Sequence, residues 1–260
     1  MFQSEIHKLL GTFTQIGLNE MDEVKLMNRV ETKYVFSSEK LPDLLNHLSE
    51  NYKVLTINYI MTFPYHTIYF DTSDYLFYTQ QVRGKLSRYK IRYRKYESSG
   101  LSFLEIKKKT NKRRTIKWRI ANELSTNFPD EDAEKFIKKY LPGSLPDLRP
   151  VLINEFNRIT LVGKRFKERV TLDYNLSFAS PDSENSEFPF LAIAELKREF
   201  HSYLSPFGTV MKHIGIQQNR FSKYCIGSVL IKDMPRKNIL KPNLLLINKI
   251  KNEYIKSTGY

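Results

Sequence analysis

The sequence predicts an α+β fold: a closed eight-stranded antiparallel β barrel enclosing a tunnel with a charged interior, covered outside by helices. Three observations lead there. Cationic and apolar residues alternate strictly in Arg88-Tyr89-Lys90-Ile91-Arg92-Tyr93-Arg94. Successive side chains of a strand point to opposite faces, so the cations form one row and Tyr89, Ile91 and Tyr93 the other. Six strands of this kind each place two or more charges on one face, often with a carboxylate among the cations. Amphipathic helical patterns separate groups of these strands. One such strand alone is most simply a solvated sheet face. Solvated faces, however, mix in Ser, Thr, Asn and Gln, and the repetition fits an enclosed charged lumen with an apolar exterior better.

Residues 1–27 read as an N-terminal helical segment, with Ile6, Leu9, Leu10, Phe13 and Ile16 at helical spacing and Gly11 and Gly17 as interruptions. A first strand spans Asn28–Phe36, with Arg29, Glu31 and Lys33 on one face and Val30, Thr32, Tyr34 and Phe36 on the other. A helix begins near Ser38, with Pro42 in its first turn and Leu41, Leu44, Leu45 and Leu48 as its buried stripe. Strands follow at Lys53–Ile60 and His66–Thr72, the latter ending in a turn. Leu76–Val82 leads into the basic strand. Next come Leu101–Lys109, with Glu105, Lys107 and Lys109 on one face, and Thr115–Ile120, with Thr115, Lys117 and Arg119 opposite Ile116, Trp118 and Ile120. Asn111–Arg114 is the basic hairpin tip between them.

Pro129-Asp130 opens a helix with an Asp cap and an acidic first turn; Phe136, Ile137, Tyr140 and Leu141 face inward, and Pro142-Gly143 stops it. Val151–Leu161 and Arg169–Phe178 read as strands around a turn at 163–167, with Arg169, Thr171 and Asp173 sharing a face. Pro181–Glu187 is a polar loop. Phe190–Glu199 is a strand carrying Glu195, Lys197 and Glu199 on one side. Ser205-Pro206 starts a helix with stripe Phe207, Val210, Met211 and Ile214, ended by Gly215, and a last helix runs from about Ser222 to Lys232. The residues after Pro235 show no assignable element. With no linker or repeat, the expected organisation is one domain over 28–232, preceded by the helical segment and followed by a C-terminal tail, 233–260.

A formal net charge of +14 calls for an anionic partner: phosphate, nucleic acid or an acidic membrane surface. Nucleic acid is disfavoured, because the aromatic residues lie opposite the cations and could not stack bases beside them. At 41% hydrophobic the chain is too apolar for disorder. Cys225, the single cysteine, excludes an internal disulfide, fits a reducing compartment and reads as a core residue. No run approaches the roughly 20 apolar residues of a membrane span, and no signal segment opens the sequence; a soluble, cytoplasmic protein is expected. There is no Gly-x-x-x-x-Gly-Lys loop and no Gly-x-Ser-x-Gly elbow, and the five histidines lack paired metal spacing. A tunnel of arginines and lysines would hold polyanions by charge-assisted hydrogen bonds. Turning over a triphosphate there also needs a divalent cation, Mn²⁺ or Mg²⁺, for which Glu195, Glu105 and Glu31 are the candidate oxygen ligands.

Ten short motifs occur in a fixed order: Arg29-x-Glu31-x-Lys33-Tyr34, Tyr69-Phe70-Asp71-Thr72, Ile91-Arg92-Tyr93-Arg94, Phe103-Leu104-Glu105-Ile106-Lys107, Lys117-Trp118-Arg119, Pro150-Val151-Leu152, Phe156-Asn157-Arg158, Arg169-Val170-Thr171-Leu172-Asp173, Ala194-Glu195-Leu196-Lys197 and Arg220-Phe221-Ser222-Lys223-Tyr224. This set resembles the vacuolar transporter chaperone (VTC) domain, the polyphosphate-polymerase branch of the triphosphate tunnel metalloenzymes (CYTH-like), from about Asn28 to Ile231. The resemblance implies an eight-stranded tunnel that binds ATP, polyphosphate and a divalent metal, usually Mn²⁺. It implies that Lys33, Arg92, Arg94, Lys107, Lys117, Arg158, Arg169 and Lys197 line the tunnel and hold phosphates, and that Glu195 binds metal. Arg220 and Lys223 match a basic pair at the tunnel's end; with Lys197 they form the candidate catalytic set, Lys223 being important for transfer. The implied reaction is attack of a phosphate, or of a polyphosphate end, on the γ-phosphate of ATP.

Two positions depart from the wider pattern. Arg29 stands where the superfamily has the first glutamate of Glu-x-Glu-x-Lys, which suits the polymerase branch over a hydrolase, and Arg220 replaces an expected lysine. The chain shows no inositol-phosphate-sensing SPX domain or membrane segment, so any membrane partner is expected on a separate chain. The alternatives are a triphosphatase or nucleotidyl cyclase of the same fold, and a non-catalytic binder of polyanions or nucleic acid.

Overall fold

Strand after strand sends its charges one way and its apolar residues the other, and the sheet they build curls around the charged side. The computed structural model describes residues 2–21, 29–112, 114–123, 128–141, 143, 147–182, 185–199 and 205–259. In chain order the elements are α1 (Phe2–Leu10), β1 (Thr14–Ile16), β2 (Arg29–Ser37), α2 (Leu41–Leu48), β3 (Tyr52–Leu55), β4 (Thr62–Thr72), α3 (Leu76–Val82), β5 (Arg88–Tyr96), β6 (Ser102–Lys109), β7 (Thr115–Ala121), α4 (Glu131–Tyr140), β8 (Leu148–Gly163), β9 (Glu168–Ala179), β10 (Ser186–Phe188), β11 (Leu191–Glu199), α5 (Pro206–His213), α6 (Lys223–Ile231) and α7 (Lys241–Thr258).

The α+β class and the large antiparallel sheet agree with the sequence. The main path runs β2-β11-β9-β8-β4-β5-β6-β7, with every neighbouring pair antiparallel. The expected closure does not follow: among the described residues no ladder joins β2 to β7. The edge of β2 is already occupied. Tyr34 bridges to Gln218, and the Asn219 N–H donates to the Lys33 carbonyl at 2.7 Å. From this edge the 218–222 segment reaches across the open side. Lys33 donates to the Phe221 carbonyl at 3.1 Å, and Lys90 of β5 donates to the Ser222 hydroxyl at 3.0 Å.

Outside the curl, α1, α2 and α5 cover the apolar face of β2, β8, β9 and β11, where Tyr34, Ile159, Leu172 and Ala194 meet Leu10, Leu44 and Phe207. Helix α4 covers β5 and β6 through Phe136 and Ile137 against Ile91, Leu104 and Ile106. The concave side is charged around the lumen but not throughout. Its far half is apolar and filled by α6, where Tyr224, Cys225 and Ile226 pack on Val35, Leu152, Leu176, Phe178 and Ile193. On β9 a bulge accompanies this division. Asn175 adopts φ 50°, and the β8–β9 register shifts beside it. An extra residue reverses which side chains face inward. Arg169, Thr171 and Asp173 therefore face the lumen before the bulge, and Leu176 and Phe178 after it.

Asp71 anchors the plug. Fully buried, it accepts the backbone N–H groups of Thr72, Phe77 and Tyr78, each at 2.8 Å, and the Tyr224 hydroxyl. One carboxylate thus caps the start of α3 and ties down α6. Burial pushes its carboxyl upward, against the hydrogen bonds that favour the ionised form.

Several elements differ from the sequence reading. Helix α1 ends at Leu10, and Ile16 lies instead in β1, which pairs in parallel with β3. The strand expected over Lys53–Ile60 stops at Leu55, because Asn58 and Tyr59 turn the chain with φ of 48° and 65°. Leu76–Val82 is helical, part of the polar loop forms β10 on β9, and the unassigned tail contains α7, whose Ile247 and Ile250 are buried. Residues 22–28, and with them the end of the expected N-terminal segment, lie outside the described residues, as do Arg113, Pro142 and residues 183–184; the side chain of Arg29 is likewise not described. Among the described residues no helix is long and apolar enough to cross a membrane.

A Cβ on Gly227 of α6 would stand 2.6 Å from Cε1 of Phe178 and 3.0 Å from Cδ2 of Leu152. Alanine would gain about 1 kcal/mol of helix propensity, but overpacking of this kind costs about 1–3 kcal/mol. Gly227→Ala should therefore lower the urea midpoint, and Phe178→Leu in the same chain should recover part of the loss.

Candidate functional site: a cationic channel on the concave face

Alternation within each strand and the curl of the sheet bring the charged rows to one cavity of about 620 Å³. All eight strands of the main path contribute to its lining, β6 through Lys107 and Lys109. Most of the residues singled out from sequence meet there: Lys33 and Glu31 from β2, Arg92 and Arg94 from β5, Lys107 from β6, Lys117 from β7, Arg158 from β8, Arg169 from β9, Glu195 and Lys197 from β11, and Lys223 from the first turn of α6. Among the described lining residues, thirteen lysines and arginines face three carboxylates.

Two of the expected residues are placed elsewhere. Arg220 is exposed and outside the lining; its carbonyl accepts from Asn243 Nδ2 at 2.8 Å, which turns this stretch toward α7. Glu105 lies beneath the surface of the lumen with no exposure. Its Oε2 accepts from Arg92 Nη2 at 2.6 Å and Nε at 2.7 Å, and its Oε1 pairs with Lys117. Glu105 thus stands behind the lining, paired with Arg92 and Lys117, whereas Glu195 and Glu31 face the cavity.

Asp173 was not among the expected site residues, although its in-phase position with Arg169 and Thr171 was the signal. It accepts two bonds from Arg158, at 2.6 and 2.7 Å, and one from Lys223. Burial raises its carboxyl, but Arg158 and Lys223 outweigh this and hold it at about 2. Arg88, Lys90, Lys109 and Arg119 also line the cavity, each in phase with a cationic row already visible in the sequence. Tyr65 and Phe156 stack at 5.2 Å, and the Arg158 guanidinium lies 4.9 Å from the Tyr65 ring centre. That platform was not legible from spacing.

Crowding depresses the lysines. Burial, offset in part by Asp173 and reinforced by Arg158, holds Lys223 well below the usual lysine range. Arg92, followed by burial, does the same to Lys107. Burial brings Lys90 down to about 8, with Lys33, Arg88 and Arg92 adding to the effect and Cys225 opposing it. Glu195 is pushed up by burial, yet Lys33 at 3.5 Å and Lys197 at 2.7 Å hold it well below the carboxylate range. The lumen is strongly cationic and suits an anionic ligand.

Among the described residues no group of three or more His, Cys, Asp or Glu side chains could hold a metal ion by itself. Glu195 sits opposite Lys33, and Glu31 opposite Lys197, on adjacent strands and facing one cavity. These two carboxylates fit a Mg²⁺ or Mn²⁺ ion shared with substrate phosphates and water, not an all-protein cage.

The sequence profile of the VTC domain matches residues 28–232. No functionally curated protein matches the chain. Among solved structures, similar folds occur in an adenylate cyclase candidate from Vibrio parahaemolyticus (12% identity, 84% of this chain and 99% of that one, TM-score 0.47). They also occur in an adenylyl cyclase candidate from Hippeastrum described as having a dominant triphosphatase activity (14% identity, 80% and 98%, TM-score 0.48).

A channel whose Lys90 titrates near 8 is incompletely protonated at pH 9. An anion favours the charged form, so Lys90 should take up a proton when inorganic tripolyphosphate binds between pH 8 and 10, and the affinity should fall as pH rises through that window. Titration calorimetry in two buffers of different ionisation enthalpy reads the uptake directly; equal heats in both would contradict it. Without ligand the sign reverses. The unfolded chain, with lysines near 10.5, binds more protons across this window, so these groups make stability rise with pH.

Proposed function

The chain belongs to the VTC domain family, and from that premise we propose that it is a polyphosphate polymerase, transferring the γ-phosphate of ATP to the end of a growing polyphosphate inside the cationic channel. The observation that carries this reading is the state of the lumen carboxylates. Asp173 is paired with Arg158 and Lys223, Glu195 with Lys33 and Lys197, and Glu31 stands across from Lys197, so each lumen carboxylate lies against cations. A hydrolase must position and activate water, whereas an acceptor phosphate brings its own ionised oxygen and needs no protein base.

On this reading the chemistry is positioning and charge neutralisation. Lys33, Arg92, Arg94, Lys107, Lys117, Arg158 and Arg169 hold the phosphates of ATP and of the acceptor in line. An acceptor oxygen bonds the γ-phosphorus, the bond to the β–γ bridging oxygen breaks, and ADP leaves with that electron pair. Lys223 and Lys197 neutralise charge on the transferring group. Asp173 holds Lys223 and Arg158 in a fixed relation to each other. A divalent ion, Mn²⁺ or Mg²⁺, held by Glu195 and Glu31 together with substrate oxygens, would supply the bridging charge that such transfers require. Use of ATP places the reaction in the cytoplasm, and export of the product would fall to a separate membrane partner.

The deciding assay is purified protein with ATP and Mn²⁺, followed by gel analysis for long polyphosphate. Orthophosphate as the sole product would mark a triphosphatase, cyclic nucleotide with pyrophosphate a cyclase, and absence of turnover a binder. Glu195→Gln should abolish metal-dependent turnover in a chain that still folds, with a lowered thermal midpoint because Lys33 and Lys197 lose their shared carboxylate; full activity would remove Glu195 from the site. Lys223→Ala should lower kcat by about a hundredfold or more with a much smaller change in ATP affinity, and an effect confined to affinity would contradict its role in transfer.

A further inference from the structure

The β6–β7 hairpin carries more positive charge than the channel accounts for. Between Ile106 and Asn122 the chain has no Asp or Glu. Along the ladders, cations stand directly opposite one another: Arg88 across from Lys109, and Lys90 across from Lys107, which in turn faces Lys117. Like charges placed so are destabilising. Lys109 and Thr115, the last paired residues of the hairpin, still line the channel, and Thr110 N–H donates to the Arg114 carbonyl at 2.8 Å, so the turn begins immediately beyond the lining. At that turn Lys112 and Arg114 are exposed, and among the described residues neither side chain makes an ion pair. Some surface lysines have carboxylate partners, as in Lys135–Glu131 and Lys138–Glu134. Through Lys112 and Arg114 the hairpin thus extends the channel's cationic track outward beyond its lining.

We propose that the tip of this hairpin, through Lys112 and Arg114, is an external binding site for linear polyphosphate, gripping the part of a chain that protrudes from the channel. The inference rests on the reading of the channel as a polyphosphate site and adds a length dependence to it. A triphosphate fits within the lumen and does not reach the tip; a long chain fills the lumen and continues over Lys112 and Arg114. The site therefore discriminates by length, and during synthesis it keeps the product bound between additions.

The test compares wild type with Lys112→Ala/Arg114→Ala, both exposed positions, using inorganic tripolyphosphate and long-chain polyphosphate as probes in a salt series. The variant should bind long polyphosphate about tenfold more weakly, with a log K against log salt slope smaller by about 1.4, as expected for two lost contacts on a flexible polyanion. Its tripolyphosphate affinity should be unchanged. Equal losses for both probes, or no loss for the long chain, would overturn the proposal. A single-stranded oligonucleotide that binds wild type as tightly as polyphosphate and is lost in parallel would overturn the ligand assignment. Length-dependent binding in a protein that makes no polymer from ATP would leave the hairpin site standing and reject the polymerase reading instead.

Discussion

The rest of the structure depends on holding a crowd of like charges in one lumen without a bound anion. Three carboxylates make this feasible, and each serves two cations. Glu105 holds Arg92 and Lys117, Asp173 holds Arg158 and Lys223, and Glu195 holds Lys33 and Lys197. Buried ion pairs of this kind contribute little net stability, because desolvation offsets the attraction, but removing one partner is severe. Their value here is geometric. They fix where six cations stand relative to each other before substrate arrives, and such preorganisation lets charge stabilise a transition state without reorganising.

The apolar half of the concave face supplies what the ion triads cannot, a rigid floor. Helix α6 is buried on nearly every side and has no polar stripe in its buried turns, so it reads as a core helix. Its first turn nevertheless presents Lys223 to the channel, while Tyr224, one residue on, is held by Asp71. The buried contacts of Tyr224, Cys225 and Ile226 therefore fix the depth at which Lys223 stands in the channel. Packing and electrostatics converge on two adjacent residues.

Much of this was legible in the sequence, because strand alternation is strict wherever one face is buried. The rows on β2, β5, β6, β7 and β11, and with them nearly all of the candidate site residues, follow from period two alone. What escaped did so for identifiable reasons. Glu105 and Glu195 look alike, each two residues before a lysine, and only register separates them: Glu105 lies between Arg92 and Arg119, while Glu195 lies between Lys33 and Thr171. Arg220 belongs to an ordered motif, but α7, which the composition did not reveal, takes hold of its backbone through Asn243. The strands of the path were readable, whereas their order and their failure to close were not, since the occupant of the β2 edge comes from a loop nearly two hundred residues away.

The kink at Asn175 has a consequence for how such a lumen can change. Because one surplus residue swaps the wet and dry sides of β9, its location along the strand determines how far solvent-facing chemistry extends before the greasy stopper begins. Shifting that residue by two positions would lengthen or shorten the wet compartment by one pair of side chains and leave the topology untouched. Capacity for a longer or shorter occupant is in this way separable from the architecture that surrounds it.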